Sequence, residues 1–93
     1  MNPVSKGIRM EDKRFDRPVK ILAGRFITVS RQVDTAVEAV EYLLDKWPEK
    51  TGGKYHAALA ACLAVLEDEG DARVARLAFE DAADEARILV KQP

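Results

Sequence analysis

Histidine and cysteine occur once each in this 93-residue chain, as His56 and Cys62. A lone cysteine excludes an internal disulfide and fits a reducing compartment. With one residue of each kind, a zinc site built from several Cys and His ligands is also excluded. No apolar run approaches the roughly 18 residues of a membrane span, and the opening MNPVSKGIRMEDK has no apolar signal-peptide core. The expectation is therefore a soluble cytoplasmic protein with no membrane partner. A net charge of −1 likewise lacks the basic excess of a nucleic-acid-binding domain.

What is present is a globular composition, 47% apolar and 33% charged, on a chain long enough for one small domain. Such a domain has a stability margin on the order of a few kcal/mol, which makes homo-oligomerisation a natural supplement. The near-neutral total hides an asymmetry. Residues 1–32 carry eight bases and three acids, net +5, and residues 33–93 carry seven bases and thirteen acids, net −6. Opposite ends of one chain, or of two copies, would attract.

Residues 1–16 have no apolar periodicity and read as a disordered tail; residues 17–93 read as a single small α+β domain. Val19-Lys20-Ile21-Leu22 and Phe26-Ile27-Thr28-Val29 are short β-rich runs joined through Gly24, the pattern of an N-terminal β-hairpin. Ser30 is the expected helix N-cap, with Asp34 an alternative one turn on. Val33, Ala36, Val37, Val40, Leu43, Leu44 and Trp47 step by threes and fours, so a first amphipathic helix is expected to end at Trp47-Pro48. A glycine loop precedes a second, alanine-rich helix from about Lys54 to Glu69. Gly70 is its expected left-handed cap, and Asp71 caps a third helix from about Ala72 to Arg87. Ile88-Leu89-Val90 then reads either as a short C-terminal strand pairing with the hairpin or as a last helical turn. The order is β-β-α-α-α. Its expected core includes Ile21, Val29, Val37, Val40, Leu44, Trp47, Leu59, Cys62, Leu66 and Phe79.

Several of these segments together resemble a family of short bacterial proteins, domain of unknown function 982. They are Arg17-Pro18-Val19, Val29-Ser30 leading to Ala36, Trp47-Pro48, and Gly53 with Ala58 and Cys62. Ala75-Arg76-Leu77-Ala78-Phe79 through Ala82-Ala83-Asp84-Glu85-Ala86 and Ile88 complete the set. The likeness covers residues 17–90. It implies a small intracellular α+β domain and assigns no activity, cofactor or catalytic residue. Arg87 departs from the pattern, standing where the resemblance implies a glycine.

No catalytic, cofactor or metal constellation emerges. His56 and Cys62, six residues apart on one helix, point about 120° apart and cannot pair as base and nucleophile. His56 reads as a surface or capping residue and Cys62 as a core residue. Acid pairs such as Glu38 with Glu41 lie opposite the apolar stripes, on solvated faces. The expected function is a non-enzymatic, self-associating interaction module, with Lys20, Arg25 and Arg31 facing Glu38, Glu41 and Asp45 across a contact. The alternative is a nucleic-acid-binding regulator using Arg17, Lys20, Arg25 and Arg31.

Overall fold

Alternation makes the first two elements. In the computed structural model, which describes residues 13–23 and 29–91, β1 (Arg14–Ala23) and β2 (Val29–Thr35) form an antiparallel ribbon. Val19 pairs with Val33, Ile21 with Arg31 and Ala23 with Val29. Cross-strand partners share a face, so Val19, Ile21 and Val33 turn together toward the helices and are fully buried. Lys20 pairs with Gln32 and Leu22 with Ser30 on the opposite face.

The ribbon starts earlier than the sequence pattern suggests. Arg14 already pairs with Thr35, and three extra residues of β1 are accommodated between that pair and Val19–Val33. Pro18, which has no N–H to give a ladder, lies in this bulge. The bulge breaks the alternation yet leaves Phe15 only 4% exposed, against Phe79 at 6.1 Å. Lys13 to Asp16, assigned to the tail above, thus belong to the folded domain. Residues 1–12, Arg25 and the expected strand segment Phe26-Ile27-Thr28 lie outside the described residues.

α1 (Ala36–Asp45) follows β2 without a loop. The Thr35 hydroxyl accepts from Glu38 N–H at 3.1 Å, while the Glu38 carboxylate accepts from Asp34 N–H at 2.8 Å. This reciprocal arrangement resembles a capping box and places the N-cap at Thr35, five residues after Ser30. Val33 and Asp34 are therefore strand residues, and neither Ser30 nor Asp34 is the cap. Ala36, Ala39, Val40 and Leu43 face the core. Leu44, offset from that stripe, is 47% exposed, and Val37 is half-buried. Val29 is 42% exposed at the far end of the ribbon. These three correct the expected core.

α2 (Gly53–Leu66) and α3 (Ala72–Glu85) form the αα-hairpin. The Tyr55 hydroxyl donates to the Leu43 carbonyl at 2.8 Å, so α2 satisfies an acceptor left over in the last turn of α1. Cys62 and Phe79 are fully buried, and half-buried Leu59 and Leu66 pack against the same core. Trp47 packs tilted against Phe79, ring centroids 5.4 Å apart, closing the core beyond α1. The left-handed residue after α2 is Asp68 (φ 61°), not Gly70. Gly70 serves close packing: a Cβ there would lie 2.9 Å from the Ala64 Cβ.

After α3, Arg87 takes φ 63° and Ile88 N–H bonds Ala83 C=O at 2.9 Å, with Arg87 N–H to Asp84 C=O at 3.0 Å. Those two bonds define a Schellman turn. The turn sends Ile88–Val90 back along β1, where Leu22 N–H reaches Ile88 C=O at 2.7 Å and Val90 N–H reaches Lys20 C=O at 2.9 Å. The arginine thus occupies the left-handed position itself, and the C-terminal segment pairs with the hairpin through an isolated bridge, Ile21–Leu89.

Candidate functional site

The side of β1 that each backbone group faces follows from these bonds. Lys20 and Leu22 bond to the C-terminal segment, so Val19, Ile21 and Ala23 must direct their N–H and C=O toward β2. Their partners Val33, Arg31 and Val29 point back at β1. Ser30, Gln32 and Asp34 consequently aim their backbone groups away from the sheet. Only the Asp34 N–H has a partner among the described residues, the Glu38 carboxylate. Among the described residues Ser30 and Gln32 form an open edge, and both are exposed.

Alternation also divides the basic set. Lys20 shares the solvent face of the ribbon with Gln32, whereas Arg31 shares the helix-facing side with Ile21 and is exposed there. Lys20 lines an open groove with Arg17, Pro18 and Gln32. Glu38, Glu41 and Asp45 come together, lining a separate groove on α1 with Tyr42 and Lys46. Among the described residues, no ion pair joins Lys20 or Arg31 to those acids. The opposite charges are not consumed against each other within this part of the chain.

Charged groups that do pair fasten the bulge. Arg76, 4% exposed, donates from Nε to Asp16 Oδ1 at 2.8 Å, from Nη2 to Asp16 Oδ2 at 3.2 Å and from Nη1 to Glu80 Oε1 at 2.9 Å. The fork geometry holds the Asp16 carboxyl below its ordinary pKa of 3.8, chiefly through the hydrogen bond from Arg76. Buried Lys13 pairs with Asp68 at the α2–α3 turn. Nothing local in the sequence marks Asp16 and Lys13 as members of this clasp; its one signal is Arg76, a cation on the same helical stripe as Ala75 and Phe79.

His56 is exposed, its ring set edge-on to Tyr55 at 5.3 Å. Cys62 is enclosed, and loss of water pushes its thiol up to about 12 from 9.0. The structure does not bring the two together. No group of three or more His, Cys, Asp and Glu is placed to hold a metal among the described residues, and no described helix is long and apolar enough to cross a membrane.

A family model described as protein of unknown function (DUF982) matches residues 17–90. The chain belongs to that family. No curated protein and no solved structure matches it. Membership in DUF982 fits the segments that suggested it: Trp47 is core, Ala75 and Phe79 are buried on α3, and Arg17-Pro18-Val19 runs from the bulge of β1 into its regular pairing with β2. The family carries no activity to transfer, so function must be argued from the surface described above.

Proposed function

We propose that this DUF982 protein is a non-enzymatic interaction module that associates with copies of itself. The observation that carries the reading is the open edge at Ser30 and Gln32, whose outward backbone groups have no partner among the described residues. An unpaired edge is a template for another strand, and strand addition is a recurring mode of protein recognition. Two further features support it. Among the described residues, Lys20 and Arg31 make no ion pair with the acids of α1, so these charges can meet between two copies. A domain within a 93-residue chain also gains proportionally from burying more surface. The enclosed Cys62 and the exposed His56 support a reading without catalysis, and a single unpaired cysteine suits the cytoplasm.

Sedimentation velocity over a range of concentrations tests the reading, with an affinity pull-down alongside. A species heavier than the monomer, growing with concentration, is expected. A strict monomer at high micromolar concentration with no captured copy removes the proposal. A second reading, nucleic-acid binding, rests on the groove that Arg17 and Lys20 share. It predicts affinity falling steeply with salt, and no gel shift at low salt ends it.

A further inference from the structure

Self-association through an edge has few registers. Only outward-facing residues bond across an antiparallel contact, so a twofold axis between two copies of β2 sets Ser30, Gln32 and Asp34 against one another. An axis at Arg31 puts two guanidinium groups directly opposite, which repels. With the axis at Val33, Ser30 would need Ala36 as its partner, but Ala36 is already helical. An axis at Ser30 would set Gln32 and Asp34 against Thr28 and Phe26, which lie outside the described residues. An axis at Gln32 keeps both bonded pairs, Gln32–Gln32 and Ser30–Asp34, within β2 and avoids the first two faults.

We infer that β2 pairs antiparallel with β2 of a second copy about a twofold axis at Gln32, an inference that rests on the self-association reading. Gln32 N–H donates to the Gln32 carbonyl of the second copy and the reverse. Ser30 N–H donates to the opposing Asp34 carbonyl, also twice. The Asp34 N–H keeps its Glu38 partner, so pairing ends where the helix begins. Charge agrees with this register: Arg31, on the helix-facing side, is carried toward the first turn of the other copy's α1, where Glu38 sits. An isologous contact uses the same edge of both copies and closes at a dimer, so no fibre grows.

Cross-linking reads the register directly. Opposed residues of a bonded antiparallel pair lie about 5.5 Å apart at Cα, within disulfide reach. The two copies of Ser30 are separated by four residues along the strands, about 13 Å. Under mild oxidation Q32C is expected to give a covalent dimer and S30C alone a monomer, while S30C mixed with D34C gives a heterodimer. Wild type, whose only thiol is the enclosed Cys62, stays uncross-linked. Gln32→Pro removes an outward N–H without touching the β1 ladder, and should weaken association about tenfold or more with an unchanged circular dichroism spectrum. Gln32→Glu, which gains Lys20 as a cross-strand partner but opposes two carboxylates in the dimer, should do the same and recover in acid. Cross-linking by S30C in place of Q32C, or association indifferent to both Gln32 variants, overturns the register and leaves self-association standing. A wild type that never associates overturns both.

Discussion

Replacing Arg87 with glycine should stabilise the protein. Arg87 holds φ 63°, where Cβ crowds the backbone, at a cost of about 1–2 kcal/mol for an L-residue. Its side chain is exposed and makes no hydrogen bond or ion pair among the described residues, so little is lost with it. Glycine forfeits about 0.5–1 kcal/mol through its greater freedom in the unfolded chain. The net gain is about 0.5–1 kcal/mol, a rise in Tm of about 2–8 °C for a domain of this size. Calorimetry and urea unfolding followed by circular dichroism measure it. Arg87→Ala is the control: alanine keeps the Cβ, so it should stay within about 0.5 kcal/mol of wild type. Equal gains from glycine and alanine, or a lower Tm with glycine, would refute the left-handed Schellman turn. They would also undermine the path that brings Ile88–Val90 to β1.

Three further outcomes test the packing. Trp47→Ala removes the ring packed against Phe79 and should cost about 3–5 kcal/mol, enough to unfold most of the population at 37 °C; a folded variant with native near-ultraviolet dichroism would contradict a core role. Tyr55→Phe strands the Leu43 carbonyl and should cost about 1–3 kcal/mol by urea midpoint, with an unchanged slope. The Asp16–Arg76 clasp sets an acid limb: because the folded carboxyl titrates below 3.8, its stabilisation is complete above the unfolded value and lost as pH falls through the folded one. Asp16→Asn should therefore be less stable than wild type at pH 7, the gap narrowing toward low pH, and a gap independent of pH would contradict the clasp.

The element types could be read from the sequence because each has a clean period over most of its length. The helical stripes of α2 and α3, the Asp71 cap and the Pro48 stop are all local signals. The errors came where two periods overlap. Val33 fits the stripe of α1 by count and the buried face of β2 by alternation, and only the spacing Thr35 to Glu38 marks the junction. Phe15 was hidden because a three-residue bulge interrupts alternation before Val19. Gly70 drew the cap assignment from Asp68, since glycine is the usual left-handed residue and its packing against Ala64 is a tertiary fact. The candidate surface was half legible. Lys20 and Arg31 are both on the hairpin, but the one-residue parity that sends them to opposite faces depends on register. Which residues of β2 face outward is set by the C-terminal segment's bonds to Lys20 and Leu22, some 70 positions away in the chain.

Amide hydrogen exchange on the wild-type protein at several concentrations tests the central claim most directly. In the monomer the inward N–H groups of Arg31 and Val33 are protected by the ladder, while those of Ser30 and Gln32 meet water. The account predicts that raising the concentration slows exchange at Ser30 and Gln32 while Arg31 and Val33 scarcely change. Exchange at Ser30 and Gln32 that stays fast at every concentration, in a sample whose mass remains 10.3 kDa, would contradict it.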